Sequence, residues 1–324
     1  MTPQEEAHSR LIDQMRRILG CEICAAFDDP AAVELMLNDD GRVLIERHGS
    51  GITELTRMSP AKAMNLLALM ADFRGTTVTR ERPIVEGAMP DEFLRARFAG
   101  AIPPLMPRPT FAIRLPARKI YTLEDYMAGG IMKKDQYELL LSAIEERRNI
   151  VVSGGTGSGK TTLLNAFSDA ISRMAGLDQR IVIIEDTREI VCTAPNAVSM
   201  LTDEDTSIDM TRLLKLSLRY RPDRIFVGEV RDRSALALLK AWNTGHPGGL
   251  ATVHANSASL ALVRLDQLCQ EANVPSQAAL INEAVDVVVQ ISRDLSAPSG
   301  RRITEISDIK QQPIKEKGVY GVVR

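Results

Sequence analysis

A glycine-rich turn near the middle of the chain constrains the fold more than any other stretch. Three apolar residues, 150–152, lead into it, and a helix-like segment from Thr161 to Ala170 follows at once. The turn reads Gly154-Gly155-Thr156-Gly157-Ser158-Gly159-Lys160-Thr161-Thr162. A glycine, four residues, a glycine, a lysine and a hydroxyl residue is the spacing of a phosphate-binding loop between a strand and a helix.

Each residue type in this turn has a physical task. Glycines let backbone N–H groups approach an anion with no Cβ in the way. The turn opens a helix, so unpaired N–H groups and the positive end of the helix dipole face the same anion. Lys160 is expected to neutralise the β- and γ-phosphates, and the Thr161 hydroxyl to hold Mg²⁺. We therefore predict ATP and Mg²⁺ as cofactors, with residues 154–162 around the nucleotide.

Length and composition indicate a globular protein of about two domains. The chain has 324 residues, of which 44% are hydrophobic and 25% charged. No apolar run approaches the ~20 residues that a membrane-spanning helix needs. The polar start, residues 1–6, is unlike a secretory signal. We expect a cytoplasmic protein whose membrane contact, if any, is peripheral.

The residues before 118 have the pattern of a small α+β domain built on an antiparallel sheet. Apolar spacing predicts a helix over residues 3–20, and Ser59-Pro60 predicts the start of a second helix that ends near Gly75. An Asp-Gly turn within 38–41 predicts a β-hairpin. Two further strands are expected within residues 97–104 and 111–116.

The boundary of this domain is predicted at residue 118, with a linker over residues 119–130. The segment Thr122-Leu-Glu-Asp125 has the spacing of a capping box, so it is expected to open a short helix that stops at a Gly-Gly pair. A further helix over about 133–147 then leads into the strand before the phosphate loop. The second domain accordingly spans residues 131–324.

After the loop, apolar strands alternate with helices. Uninterrupted β-branched runs separated by helices predict a parallel sheet covered on both faces. Residues 285–324 return to short strands and a glycine-containing hairpin, to which we assign no chemistry. The predicted strands are 180–186, 224–229 and 249–254, and the predicted helices lie near 210–218, 234–242 and 258–270.

Each strand of this sheet ends in a residue capable of chemistry. One leads into the phosphate loop, and the others end at Glu185, Glu229 and His254. Because the carboxyl ends of parallel strands share one edge, these residues are expected to converge on one triphosphate. Phosphoryl transfer needs charge neutralisation, a metal and an oriented water. Glu229, placed like a Walker B carboxylate, is expected to position Mg²⁺ partly through water, Glu185 to activate the attacking water, and His254 to hydrogen-bond the γ-phosphate.

Simpler roles remain open for several residues. A lone glutamate at a strand end is usually just exposed, and a structural role explains His254 as well as a catalytic one does. His246 is expected to shape its loop. For Arg219, Arg221 and Arg231, which flank the Glu229 strand, a solvated or salt-bridged surface position is favoured over contact with phosphate or a neighbouring subunit.

Four boxes occur in a fixed order between residues 150 and 256 and together resemble the secretion-superfamily (traffic) ATPases of type II secretion, type IV pili and type IV secretion. The length and the N-terminal half resemble the conjugal-transfer branch of type IV secretion. The boxes are the phosphate loop Gly154–Thr161, the acidic box Ile184–Glu189, the degenerate Walker B segment Arg221–Arg231 and the histidine box Thr244–Asn256.

The resemblance implies a homohexameric ring, with nucleotide held between the N-terminal domain and a RecA-like C-terminal domain. It also implies association with the inner face of the bacterial inner membrane and with inner-membrane components of a secretion apparatus. In family terms Glu185 is the catalytic glutamate, Glu229 the Walker B glutamate and His254 the histidine-box residue.

The resemblance further implies that arginines of the N-terminal domain reach the γ-phosphate. Arg97, before Ala-Ile-Pro-Pro, and Arg114, in Ile-Arg-Leu-Pro, match this role best, and Arg108 is an alternative.

The cysteines bear on the branch of the family. The pair Cys21 and Cys24 is at most half a zinc site, so buried reduced thiols are expected there. Type II secretion and pilus-extension relatives usually carry a tetracysteine zinc motif in the C-terminal half. Only Cys192 and Cys269 lie in that half here, which favours the type IV secretion branch.

We therefore predict a Mg²⁺-dependent P-loop ATPase that drives pilus assembly or substrate export by a conjugation apparatus through domain motion in a ring. The alternatives are a pilus-retraction or type II secretion motor, a DNA-translocating ring motor and a nucleotide-dependent assembly switch. Both halves of the chain are close to neutral, so direct nucleic-acid binding is not expected.

Overall fold

In the computed structural model the chain forms two compact units, residues 1–119 and 120–324. The described residues are 2–47, 50–116, 120–203, 206–294, 296–297 and 299–310, without the side chains of residues 3 and 4. The predicted short strands beyond residue 310 thus lie outside the described residues. Within the described ranges, no helix combines the length and the apolar character that a bilayer crossing requires.

The first unit is an antiparallel sheet of six strands with two long helices, as predicted. The sheet order is β3-β2-β1-β6-β5-β4, and β1 and β2 form the expected hairpin. The elements are α1 Pro3–Ala26, β1 Ala32–Leu37, β2 Arg42–Arg47, β3 Gly51–Arg57, α2 Pro60–Phe73, β4 Ile84–Ala88, a short 3₁₀ helix Asp91–Phe93, β5 Arg97–Ala101 and β6 Thr110–Arg114.

Local signals explain the two helices of this unit. The Thr2 side chain accepts from the backbone N–H of Glu5 in a capping box, and Ser59 caps α2 in the predicted manner. The prediction ended the first helix at residue 20, but α1 continues to Ala26 across a kink at Gly20, whose φ is +79°. Glycine takes this conformation at little cost, so the kinked helix keeps packing on the same core.

The Cys21–Cys24 pair corrects one prediction. Both thiols are free, but Cys21 is exposed and Cys24 only partly buried, so the expected burial is wrong for Cys21. The apolar stripe of α1 that enters the core includes Met15, Leu19 and Ile23, and Cys21 lies outside that stripe. Across the described residues, no cluster of His, Cys, Asp and Glu side chains has the makings of a metal site.

The second unit is a seven-stranded sheet of order β13-β12-β7-β11-β10-β8-β9, parallel except for β13. The predicted elements are present, whereas β9 and α9 were not foreseen. The elements are α3 Leu123–Ala128, α4 Lys134–Glu145, β7 Ile150–Ser153, α5 Lys160–Met174, β8 Ile181–Glu185, β9 Ala197–Leu201, α6 Met210–Ser217, β10 Arg224–Val230, α7 Ser234–Trp242, β11 Leu250–Val253, α8 Ala258–Gln270, α9 Ala278–Ala284, β12 Val287–Arg293 and β13 Arg301–Asp308.

Helices cover both faces of this sheet, because successive strand residues point to opposite sides. Val151 enters the core that contains Leu238 of α7 and Leu265 of α8. Its neighbour Val152 enters the other core, which contains Phe167 of α5. This two-faced burial explains why the strands are continuous apolar runs.

Part of the predicted linker packs into the second unit. Thr122 caps α3 through the expected capping box, and Leu123 and Tyr126 are buried in the core with Phe167. From residue 120 onward the segment therefore behaves as part of the second unit.

Candidate active site

The phosphate loop lies between β7 and the first turn of α5. Gly157 and Gly159 have φ of +66° and +99°, which only glycine adopts readily. Lys160 begins the helix, is 8% exposed and donates from Nζ to the Gly155 carbonyl at 3.1 Å. The strand, loop and helix context that this motif requires is therefore present.

Lys160, His254 and Glu229 meet in one cluster, although they lie far apart in sequence. The Lys160 Nζ is 3.3 Å from both ring nitrogens of His254, and the His254 Nε2 is 2.8 Å from Glu229 Oε1. The short contact with Glu229 favours the tautomer in which Nε2–H donates to the carboxylate, which leaves Nδ1 to accept from the ammonium group. The histidine thus links the phosphate loop to the Walker B carboxylate.

The environment keeps this histidine neutral. Burial lowers the pKa of His254, and the Lys160 ammonium lowers it further, while the Glu229 carboxylate acts in the opposite direction. A neutral imidazole keeps one acceptor nitrogen. His254 can therefore accept from Lys160 and donate to Glu229 at the same time.

Glu185 lies on the neighbouring strand and is 2% exposed. Its Oε1 accepts from the backbone N–H groups of Glu189 and Ile190 at 2.9 and 2.8 Å. Its Oε2 is buried without a hydrogen-bond partner among the described residues. Burial raises the pKa of Glu185 to about 7, although the two N–H donors oppose the shift. A carboxyl group with this pKa exchanges protons near neutral pH, as a general base must.

Strand register brings these residues together. β11 pairs in parallel with β7 on one side and β10 on the other, and β10 pairs with β8. The carboxyl ends of all four strands consequently share one edge, as predicted. The Glu185 side chain approaches Gly228, where an added Cβ would lie 3.2 Å from Glu185 Cγ. The residue before Glu229 is thus a close-contact glycine.

A partly open cavity of about 360 Å³ adjoins this edge. Glu229, Asp186 and Arg231 contribute to its lining. Arg231 pairs with Asp186 at 2.7 Å, the salt-bridged position that was favoured for it, while Arg219 and Arg221 are exposed. The cavity leaves room for water beside Glu229.

The remaining histidine of the histidine box shapes its loop. The His246 Nδ1 lies 3.0 Å from the Ala241 carbonyl oxygen. This contact ties the loop to the end of α7.

Arg97 and Arg114 of the first unit face each other across β5 and β6 as register partners. Both are exposed, and Arg114 also lies 3.6 Å from Glu34 on β1. Arg108 is exposed in the connection between the two strands. Two arginines opposite each other repel, so an exposed pair of this kind is suited to an anion.

Two arginines at the phosphate loop were missed by sequence reasoning. Arg293 on β12 donates from Nε to the Gly157 carbonyl at 3.1 Å. Arg301 on β13 reaches Gly159, where an added Cβ would lie 2.6 Å from Arg301 Nη1. The only sequence signal for these two residues was that arginines flank the turn of a predicted hairpin. Nothing in the sequence indicated that this hairpin lies beside the phosphate loop.

Comparison with known proteins agrees with this geometry. Residues 64–320 match the family described as "Type II/IV secretion system protein". The chain is 47% identical over 307 residues to the conjugal transfer protein TrbB of Rhizobium radiobacter, covering 95% of this chain and 93% of that protein. It is 46% identical over 308 residues to a probable conjugal transfer protein TrbB of Sinorhizobium fredii, covering 95% and 92%.

A solved structure gives the same assignment. The VirB11 ATPase from the Brucella suis type IV secretion system, crystallised with sulphate, is 26% identical, with a TM-score of 0.50 over 94% of this chain and 97% of that chain. The described site lies within the family match. The chain therefore belongs to the type II/IV secretion system protein family.

Proposed function

We propose that this chain is a Mg²⁺-dependent ATPase that energises a type IV secretion apparatus of the conjugal-transfer kind. The observation that carries the proposal is the contact of Lys160, His254 and Glu229, because it connects the phosphate loop to the carboxylate that a hydrolysis step needs. The names of the TrbB relatives support the conjugal role.

The residues present fit a nucleotide. The loop glycines leave the backbone accessible, Lys160 carries the charge for the β- and γ-phosphates, and the Ser158 Oγ is buried with no partner among the described residues. Residues 154–162 would hold ATP. Thr161 and, partly through water, Glu229 would hold Mg²⁺, which supplies charge neutralisation at the phosphates when bound.

Glu229 and Glu185 would have different roles toward the attacking water. Glu229 Oε1 is oriented by the His254 Nε2–H, so Glu229 is held ready to bind and orient a water at the cavity beside it. Glu185, with its raised pKa, is the group that can take a proton near neutral pH. His254 would donate its Nε2–H, which Glu229 accepts in this structure, to a γ-phosphate oxygen instead, and Glu229 would respond to the loss of that hydrogen bond.

Arg97 and Arg114 would complete the charge around the γ-phosphate, with Arg108 as the alternative. Both arginines are exposed and lie opposite each other, so one phosphate group would contact both, which supports this role.

At the level of assembly, we infer a homohexamer that binds peripherally to the bacterial inner membrane and contacts inner-membrane components of the apparatus. We place the N-terminal domain at residues 1–118, the linker at 119–130 and the ATPase domain at 131–324. Because α3 packs into the second unit, the part of the predicted hinge segment 117–130 that converts hydrolysis into domain rotation would lie before Thr122. Identical interdomain geometry with and without nucleotide would contradict this hinge.

The test is ATP turnover by the purified protein and by Lys160→Ala, with Mg²⁺, each with and without single-stranded DNA. We expect DNA-independent turnover that falls at least about 100-fold in the variant, because charge neutralisation is lost. Strong stimulation by DNA would favour a translocating motor instead. Turnover that survives in Lys160→Ala would contradict the site.

A further inference from the structure

The hairpin of β12 and β13 packs against the phosphate loop along its length. An added Cβ at Gly154 would collide with the Ile291 carbonyl, at Gly157 with the Arg293 guanidinium and at Gly159 with that of Arg301. At Gly154 the atom met is a backbone carbonyl oxygen, so glycine is needed there for the close approach of loop and hairpin. At Gly157 and Gly159 the contacts show that the two guanidinium groups lie directly against the loop.

Arg293 sets the orientation of one peptide in the loop. Its Nε donates to the Gly157 carbonyl at 3.1 Å. In a planar trans peptide the N–H points away from the carbonyl, so the Ser158 N–H is directed to the other side, where it lies 3.3 Å from the Gly155 carbonyl. Arg293 thereby fixes the orientation of the Gly157–Ser158 peptide within the phosphate loop.

Arg301 places a second cation beside the first turn of α5, close to Gly159. The N-terminus of a helix is its positive end, so a cation there is unfavourable unless an anion is also present. Arg293 and Arg301 are also register partners across β12 and β13, which adds like-charge repulsion. Among the described residues, no carboxylate lies within ion-pair distance of either guanidinium. A polyphosphate has the charge this arrangement lacks.

We propose that Arg293 and Arg301 are positioning residues for the nucleotide phosphates: Arg293 holds the loop open to the phosphate, and Arg301 adds positive charge behind it. This inference deepens the proposed function, on which it rests. Both residues contact the phosphate loop, whose backbone N–H groups cradle the α- and β-phosphates. We therefore expect them to affect the binding of ADP and of ATP alike.

The experiment measures dissociation constants for ADP and for Mg²⁺ with a slowly hydrolysed ATP analogue, by titration calorimetry of the full chain. Arg293→Ala and Arg301→Ala should each weaken both nucleotides about tenfold, the effect of losing one contact to a charged group. Arg302→Ala is the matched control. Arg302 is exposed, pairs with Asp294 at 3.5 Å and follows Arg301 on β13, so it points to the opposite face. The affinities of Arg302→Ala for both nucleotides should stay within about twofold of those of the wild type.

A purely structural role makes different predictions. Arg301→Lys keeps the charge and should recover most of the lost affinity, and raising the salt concentration should shrink the difference between wild type and Arg301→Ala. If an alanine variant fails to fold, Arg301→Lys is compared with Arg301→Gln instead. Wild-type affinities in folded alanine variants, or a lysine variant as weak as the alanine variant, would overturn the inference.

Failure of the inference is distinguishable from failure of the proposed function. If Lys160→Ala abolishes turnover while the two arginine variants bind nucleotide normally, the ATPase assignment stands and the inference is wrong. If Lys160→Ala turns over normally, the ATPase site itself is wrong, and the inference falls with it.

Discussion

The two edges of the parallel sheet carry buried polar groups of different kinds. At the amino edge, Asn149 donates from Nδ2 to the Ala284 carbonyl and accepts at Oδ1 from the Gly249 N–H, while its own N–H donates to Asp286. Arg224 likewise donates from every guanidinium nitrogen to acceptors, two of them backbone carbonyls. Burial lowers the pKa of Arg224 to about 10, so it stays charged at neutral pH.

Both edges have buried atoms without a partner among the described residues, Arg147 Nε and Arg180 Nε among them at the amino edge, but those of the carboxyl edge lie beside the phosphate loop and the candidate catalytic residues. Glu185 Oε2 and Ser158 Oγ are buried with no partner in the described part of the chain. Such groups cost stability, and native proteins keep them mainly where a ligand or a reaction uses them. From this comparison we expect Asn149 and Arg224 to serve stability, and the unpaired oxygens beside the phosphate loop to serve the proposed nucleotide chemistry. Substitutions at the amino edge should therefore change the free energy of unfolding, and substitutions at the carboxyl edge should change ATP turnover.

The largest expected effect is a loss of ATP turnover, without loss of stability, from a substitution at the carboxyl edge. Glu229→Gln should keep nucleotide binding but lower kcat about 1,000-fold, because a neutral amide with one acceptor oxygen cannot hold Mg²⁺ and its water as a carboxylate does. Steady-state turnover and nucleotide affinity, measured on the same preparation, check this. Glu138→Gln, an exposed change on α4, is the control and should have normal activity. Loss of nucleotide binding in Glu229→Gln would mean that the role given to Glu229 is wrong.

The next effect is a loss of folding stability, without a change in nucleotide binding, from a substitution at the amino edge. Asn149→Ala leaves the Gly249 N–H and the Ala284 carbonyl buried without partners, which should lower the free energy of unfolding by about 3 kcal/mol. Urea unfolding measures the loss. Nucleotide affinity of the folded variant should be unchanged. The control is Asn243→Ala on the exposed end of α7, which should cost less than about 0.5 kcal/mol. A changed nucleotide affinity in Asn149→Ala would contradict the view that the amino edge affects stability but not nucleotide binding.

A third effect, of about the same size as that of Asn149→Ala, is a pH dependence of stability at the carboxyl edge. The folded pKa of Glu185, about 7, lies above the ordinary value of 4.5, so the folded state binds more protons between these values. Its contribution to stability is then present at low pH and is lost as pH rises through about 7. Glu185→Gln should remove a decline of ~3 kcal/mol between pH 4.5 and 7.

Unfolding free energies of wild type and Glu185→Gln, measured across this pH range, test the shift, because other titrating groups cancel in the difference. Parallel curves would show that Glu185 titrates normally. A rise of wild-type kcat through pH 7 that is missing in Glu185→Gln would sharpen the assignment of Glu185 as the base.

The sequence by itself determined the architecture of the second unit and most of its site. The loop around Lys160 has a spacing that only one local structure satisfies, and the continuous apolar strands dictated a sheet buried on both faces. Parallel strands necessarily share their carboxyl edge, so the sequence predicted that Lys160, Glu229 and His254 lie at one edge, whereas the strand order that brings them into contact came from the tertiary structure.

Only the tertiary structure decided features that depend on register and on non-local pairing. The pairing of β12 with β7 placed Arg293 and Arg301 against the phosphate loop, and the register of β5 with β6 set Arg97 opposite Arg114. Burial of Glu185 similarly required the neighbouring chain at Gly228. A local pattern shows which residues form a strand, but its partner and register are chosen by the whole hydrophobic core.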